Sequence, residues 1–160
     1  MASLKPILSL LLAAPLAAQA LGTWKVAATP DLPLIIEQAT APMNFVTRPI
    51  ARARLKKTNS VYHQIQISRT ATEFLIQYDD RAAQHMPVSG QAVPWVREDG
   101  DKFQISAQPQ GDDLVQTYQA EDGKRVNRFH VDASGTLTMA VTVTSPRLPN
   151  PVSYSIPYRR

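Results

Sequence analysis

Few side chains of this 160-residue chain have the types and spacing that catalysis or metal binding needs. The three histidines, His63, His85 and His130, lie far apart in the sequence and share no metal-ligand spacing. The absence of cysteine excludes thiolate zinc sites, thiol nucleophiles and disulfide bonds. Nucleophile-elbow, zinc-protease, phosphate-loop and dinucleotide-binding motifs do not occur. The sequence therefore favours a protein that is not an enzyme and that holds neither a metal nor a cofactor.

A polar residue on a hydrophobic strand is the first candidate for contact with a ligand. His63 falls on the apolar face of a predicted strand, together with Ile65 and Ile67. One interpretation is a core or strand-end histidine that hydrogen-bonds a neighbour. The other is a polar group inside a ligand cavity, because such cavities are mostly apolar with a few placed polar groups. We assign His63 to the candidate ligand site.

Arg128 is the second candidate for contact with a ligand. It alternates with Phe129 along a predicted strand, and the pattern leaves open which face of residues 126–131 is inside. An inward arginine would need an anionic partner, because an unpaired buried charge is costly. A bound carboxylate could be that partner, with Tyr154 or Tyr158 as a further hydrogen-bond donor. The alternative is a surface Arg128 that pairs with a nearby carboxylate.

One stretch concentrates positive charge in a chain of formal net charge +4. Its five cations lie beside the apolar Phe45, Val46 and Ile50, and this combination suits an anionic membrane surface or an acidic ligand at a portal. A solvated helix face is the alternative interpretation. The cations of this basic patch are Arg48, Arg52, Arg54, Lys56 and Lys57.

The elements that must position these residues begin with a short strand and a helical segment. Residues 22–26 are rich in strand-forming side chains, and Asp31 is a typical helix cap. Apolar spacing predicts helices over about residues 32–57. Pro42 is expected early in the second helix, and Pro49 is expected to kink or split that helix.

From residue 61 onward, hydrophobic residues alternate with polar ones, as in half-buried antiparallel strands. Five turn glycines lie 10 to 12 residues apart, which is the pitch of one strand plus one turn. A meander this long leaves exposed edges unless it closes on itself. The sequence therefore predicts a mainly β protein, a closed antiparallel meander barrel of about 8–10 strands with the helical segment inserted after the first strand. The predicted cavity lining is Ile65, Ile67, Phe74, Ile76, Phe103, Ile105, Met139 and Val141.

The N-terminus has the pattern of a secretory signal peptide. Lys5 precedes an apolar run, and Ala18-Gln19-Ala20 is a small-x-small cleavage site. We expect residues 1–20 to be removed near Ala20, leaving a domain of residues 21–160 that is secreted or periplasmic in a bacterium. No other apolar run is long enough to cross a membrane. An uncleaved anchor or a buried helix is the alternative.

Gly22-Thr23-Trp24, followed by an all-β meander, resembles the calycin superfamily of lipocalins and fatty-acid-binding proteins. The resemblance implies that Gly22 and Trp24 close one barrel end. It also implies that an arginine after the last strand packs over the tryptophan. Arg159 or Arg160 could supply it, and we assign Arg159. A helical segment in this place resembles the portal lid of the fatty-acid-binding branch. Several other stretches of the sequence, Trp95-Val96-Arg97-Glu98-Asp99-Gly100 among them, resemble stretches of small secreted lipocalin-like proteins of proteobacteria.

Three functions are consistent with these patterns. The first is non-catalytic binding of a small apolar or amphipathic molecule, such as a fatty acid, beneath a helical lid. The second is an envelope interaction module that docks on an anionic membrane surface through its basic patch. The third is an enzyme on the same barrel, using His63 or His130 with Asp79 or Asp80. Nucleic acid is not an expected partner, because the chain is predicted to be exported and its aromatic residues form no stacking motif.

Overall fold

The computed structural model describes residues 16–160. Most of the predicted signal peptide, residues 1–15, therefore lies outside the described residues. A short N-terminal 3-10 helix (Leu16–Ala20) precedes ten strands and two helices. These are β1 (Gly22–Val26), α1 (Leu32–Thr40), α2 (Thr47–Thr58), β2 (Gln64–Arg69), β3 (Glu73–Tyr78), β4 (Gln84–Pro87), β5 (Val93–Val96), β6 (Lys102–Gln110), β7 (Asp113–Gln119), β8 (Lys124–Val131), β9 (Leu137–Thr144) and β10 (Val152–Arg159).

The ten strands form one antiparallel sheet in the order β4-β3-β2-β1-β10-β9-β8-β7-β6-β5. In the described chain each strand pairs with its chain neighbours, except that no ladder joins β4 to β5. In addition, the first strand, β1, pairs with the last, β10. The sheet curls into a nearly closed barrel with both helices inserted after the first strand. The predicted fold class is confirmed, with a gap between β4 and β5 as the one departure from closure.

Side-chain alternation places one face of every long strand inside the barrel. Ile65 of β2 lies opposite Trp24 of β1 and Tyr78 of β3, and all three side chains are buried. On β8 the inward set includes Asn127 and Phe129, which are 1% and 0% exposed. Alternation alone left open which face of residues 126–131 is inside. In the structure Phe129 faces the core and Arg128 faces outward.

The helical segment differs in detail from the prediction. Asp31 caps α1, since its Oδ1 accepts a hydrogen bond from the Leu34 amide at 3.1 Å. Pro42 lies in the turn between the helices, outside α2. Pro49 is the third residue of α2, where a missing N–H costs little, so it neither kinks nor splits the helix. Asn44 holds the start of α2 by accepting from the Thr47 amide at 2.9 Å. None of the described helices is both long and apolar enough to span a membrane.

Candidate functional site

The half of the barrel interior toward the closed end, which is formed by the start of β1, is apolar. Apolar side chains also reach the other half, where Ile105 pairs with Tyr118 and Val141 with Asn127. The residues predicted to line a cavity all lie on the inner face. Seven of them are buried, and Phe103, at the helix-covered end, is half-buried. The buried seven are Ile65, Ile67, Phe74, Ile76, Ile105, Met139 and Val141. Met86, Leu114 and Phe129 complete this aliphatic and aromatic environment.

The other half of the interior is polar and is crossed by direct hydrogen bonds. The Tyr78 hydroxyl of β3 donates to Gln116 Oε1 of β7 at 2.5 Å. Gln116 Nε2 donates to Gln84 Oε1 of β4 at 2.7 Å, and the Tyr118 hydroxyl donates to the same Gln84 oxygen at 2.7 Å. Asn127 Nδ2 of β8 donates to Gln116 Oε1 at 3.1 Å. Side chains of four strands therefore meet across the barrel in one network, which we call the interior amide network.

Arg125 extends this network from β8 toward the helices. Its Nε donates to Asn127 Oδ1 at 2.9 Å, and its Nη1 donates to Asn59 Oδ1 at 3.2 Å. Asn59 is the C-terminal cap of α2 and also accepts from the Tyr154 hydroxyl at 3.0 Å. The interior amide network is thus continuous from β4 to the end of α2.

The guanidinium of Arg125 is incompletely paired. Its Nη2 is buried and has no hydrogen-bond partner, and it is the one such side-chain atom found within residues 16–160. No carboxylate of that part of the chain lies within 4.0 Å of the guanidinium, although nine other ion pairs occur there. A buried cation without an anion is costly unless a further group completes its coordination.

Burial keeps the neighbouring phenols protonated. Desolvation raises the pKa of Tyr118 to about 12 and raises the pKa of Tyr78 well above its usual value. Desolvation also raises the pKa of Tyr154. At neutral pH these hydroxyls are therefore neutral donors around a permanent cation, a combination that can bind an anion and has no general base.

Two predicted ligand residues lie elsewhere. His63 precedes β2 and is exposed, because the strand begins at Gln64 and the chain before it lies at the barrel rim. Arg128 is on the outer face, where its Nη1 donates to Asp113 Oδ2 at 2.7 Å, and His130 contacts the other oxygen of Asp113 at 2.7 Å. Both assignments to the ligand site are corrected. Of the two predicted tyrosines, Tyr154 lies in the polar half, and Tyr158 is buried with its hydroxyl donating to the Tyr62 carbonyl.

The closed end of the barrel uses the residues that the resemblance implied, with one exchange. Trp24 is 1% exposed, and the Arg160 guanidinium lies 4.7 Å from the centre of its ring. Gly22 has φ 131°, and a Cβ there would lie 3.8 Å from Arg160 Nε. Arg159 is exposed and faces Lys25 in the β1–β10 ladder, so Arg160 replaces it as the barrel-closing arginine.

Most of the basic patch is engaged within the protein. Arg48 donates to the Ala41 carbonyl at 2.8 Å and also to the Met43 carbonyl, and Arg52 pairs with Glu37. The remaining contacts reach the barrel: Arg54 Nη1 lies 3.4 Å from Asp122 Oδ2, and Lys57 Nζ lies 4.0 Å from Asp99 Oδ2. These two pairs join α2 to the β7–β8 and β5–β6 turns.

Two open depressions lie at the ends of the barrel. One, of about 370 Å³, is at the helix-covered rim and is lined by Trp95, Phe103 and Gln119 among others. The other, of about 450 Å³, is at the closed end beside Trp24 and Arg160. Within residues 16–160, no group of three or more His, Asp or Glu side chains is arranged to hold a metal ion.

Sequence reasoning missed Arg125, Gln84, Gln116 and Asn127. Arg125 and Asn127 share the parity of Phe129, so recognising Phe129 as a core residue would have identified them in place of Arg128. Gln84 and Gln116 carry no comparable signal, because an amide in an alternating strand is typical of the solvent face.

Comparison with solved structures finds the same barrel fold in several proteins, two of which are described as a fatty acid transporter and a fatty-acid-binding protein. The "REP1-NXSQ fatty acid transporter" is 16% identical, with a TM-score of 0.59 over 90% of this chain and 97% of that one. Fatty-acid-binding protein 1 of Echinococcus granulosus is 13% identical, with a TM-score of 0.58 over 89% and 97%. A heat soluble (SAHS) protein of Ramazzottius varieornatus is 9% identical, with a TM-score of 0.61 over 89% and 95%.

No protein-family model and no curated protein sequence matches the chain. At these identities the structural likeness shows the fold alone.

Proposed function

We propose that this chain is an exported, non-catalytic binding protein for a small amphipathic anion of the fatty-acid or lipid-like class. The anionic group binds at Arg125 and the apolar part contacts the aliphatic half of the barrel. Structural neighbours that are fatty-acid transporters or binding proteins support binding over catalysis. Export is supported by the N-terminal sequence pattern.

The observation that carries this proposal is the buried Nη2 of Arg125, which has no partner. A carboxylate is the group that best completes it, because guanidinium and carboxylate are matched in charge and geometry. The site lies beside the cap of α2, so α1 and α2 act as a lid over the bound anion. Arg125 connects through Asn127 to Gln116, whose Oε1 accepts from the Tyr78 hydroxyl. We expect a ligand that reaches from Arg125 to the aliphatic half of the barrel to displace the Tyr78–Gln116 bond.

The experiment compares a long-chain carboxylic acid with the alcohol of the same chain length, for the wild type and for Arg125→Met. The wild type should prefer the acid by at least about tenfold in Kd, since a charge-assisted hydrogen bond contributes about 1.5–3 kcal/mol. Arg125→Met should abolish that preference, and Arg128→Met, on the outer face, should preserve it. Equal Kd values for acid and alcohol in the wild type would contradict the proposal. Mass spectrometry of the native protein for co-purifying acids provides an independent check.

A second candidate, docking on an anionic membrane surface, is favoured by the apolar tip of the helical segment. Phe45, Val46 and Ile50 are 86%, 58% and 67% exposed, which is unusual for large hydrophobic side chains. Lys56 and Lys57 are exposed on the same helix as Ile50.

Flotation with anionic vesicles should recover the wild type and lose the Phe45→Ser/Ile50→Ser variant. Leu34→Ser, at an exposed apolar position of α1, is the matched control. Equal recovery with neutral vesicles would argue against electrostatic docking.

The geometry lends no support to the enzyme hypothesis. His63 is exposed at the rim, and His130 contacts Asp113 on the outer face. Asp79 Oδ1 accepts from the Gln64 amide at 2.9 Å and so joins the end of β3 to the start of β2. In the described chain, neither histidine meets a nucleophile in the barrel interior.

A further inference from the structure

The last residues of the predicted signal peptide are part of the folded barrel. Ala20 is 2% exposed and belongs to the hydrophobic core. Its carbonyl accepts a hydrogen bond at 2.8 Å from Nε1 of Trp24, which is itself buried. The N-terminal 3-10 helix contacts β7 and β8 on the far side of the barrel. We call residues 18–20 the N-terminal plug.

Arg160 fixes the plug from outside. Its Nη2 donates to the Gln19 carbonyl and to the Leu21 carbonyl, each at 3.2 Å, while its guanidinium covers the Trp24 ring. These two carbonyls flank the Ala20–Leu21 peptide unit, which is the bond that cleavage after Ala20 would break. The first and last residues of the barrel therefore meet at the predicted cleavage site.

We propose that the folded, exported protein retains the N-terminal plug, so that its chain is not cleaved after Ala20. Any cleavage that occurs hydrolyses one peptide bond with water and leaves the new amino terminus at Ala18 or earlier. Cleavage after Ala20 would leave the buried Trp24 N–H without its acceptor. It would also extend the depression of about 450 Å³ that already lies beside Gln19 and Trp24 into the core.

This inference rests on the proposed export only in what it says about cleavage of the signal segment. The full chain is expressed in a bacterium with a Sec pathway, and the intact mass of the periplasmic protein is measured. A chain that begins at Ala18 or earlier supports the inference, and a chain that begins at Leu21 overturns it. Neither result affects the proposed binding at Arg125, which the comparison of acid and alcohol tests separately.

A pair of full-chain variants tests the plug even if export fails. Ala20→Ser adds a hydroxyl to a buried position but keeps the small residue that signal cleavage accepts. Gln19→Ser alters the neighbouring exposed side chain and leaves its carbonyl in place. Ala20→Ser should lower Tm by about 5 °C, and Gln19→Ser should leave it unchanged within about 1 °C. Equal Tm values for both variants and the wild type would overturn the inference.

Discussion

The two C-terminal arginines are adjacent in sequence but differ in what they contact. Arg160 covers Trp24 and donates to two carbonyls, whereas Arg159 is exposed on the outer face of β10. Tyr158 and Arg159 point to opposite faces of β10, and Arg160, the residue after the strand, points back toward Trp24. Closure of the barrel end therefore depends on Arg160.

Arg160→Ala should lower the free energy of unfolding by about 1–2 kcal/mol, because it removes a cation–π contact and two hydrogen bonds. Arg159→Ala is the matched control and should change it by less than about 0.5 kcal/mol. Urea unfolding followed by tryptophan fluorescence measures both. A larger loss of unfolding free energy in Arg159→Ala than in Arg160→Ala would mean that Arg159, and not Arg160, closes the barrel end.

Tyr118 predicts how stability responds to alkaline pH. Burial raises its pKa to about 12 in the folded state, above the usual value of 10.0. The neutral phenol is therefore favoured by folding, and its contribution is complete below pH 10 and is lost as pH rises through about 12. Tyr118→Phe should flatten the fall in unfolding free energy between about pH 10 and 12 by roughly 2–3 kcal/mol. At pH 7 the variant should be about 1 kcal/mol less stable, because the hydrogen bond to Gln84 is lost. Parallel alkaline curves for the variant and the wild type would contradict this assignment.

Among the elements, α2 is held mainly by polar contacts, both at its two ends and along its basic face. Asn44 accepts from the amides of Val46 and Thr47 at the start, while Asn59 meets Arg125 and Tyr154 at the end. Leu55 is its one buried residue, so apolar packing contributes little. A helix with so little buried surface opens more easily than the strands below it.

Asn44→Ala should therefore act on α2 and leave the barrel unchanged. Loss of a helix cap costs about 1 kcal/mol, which corresponds to roughly fivefold faster local opening. Hydrogen exchange of the α2 amides measures this, and the amides of β9 should keep their rates. Gln38→Ala, at an exposed position of α1, is the control and should leave α2 exchange unchanged. Equal acceleration in β9 would mean that α2 and the barrel unfold as one unit.

The elements were largely predictable from the sequence, and the polar interior was not. Alternation along β3 and β9 reports which residues face the core, because hydrophobic burial repeats with a period of two. Alternation assigned His63 to the same inner face, but the strand begins one residue later, and strand ends are where periodicity is weakest. Gln84 and Gln116 can be buried because their side-chain amides hydrogen-bond each other across the barrel. A hydrogen bond between strands that are distant in the sequence leaves no local sequence pattern.

For the whole molecule, the gap between β4 and β5 decides how the barrel is held closed. No ladder joins these strands in the described chain, so backbone hydrogen bonds do not complete the circle. Gln84 of β4 instead bonds to Gln116 and Tyr118 of β7, inside the barrel. The interior amide network therefore replaces the missing ladder, and the same network includes the proposed anion site. Closure of the barrel and binding of an anion are expected to be coupled.

Gln84→Ala tests this coupling. It leaves two buried donors, Gln116 Nε2 and the Tyr118 hydroxyl, without their acceptor, so the free energy of unfolding should fall by about 2–3 kcal/mol. Amide exchange should accelerate most in β4 and β5 and least in β8 and β9, which lie far from the gap. Gln77→Ala is the matched control, because Gln77 lies on the outer face of β3 and donates to the Arg81 carbonyl.

A long-chain carboxylic acid should slow amide exchange at the gap between β4 and β5 in the wild type and have less effect in Gln84→Ala. If exchange rises equally in all ten strands, the network stabilises the fold generally and is not the closure of the gap.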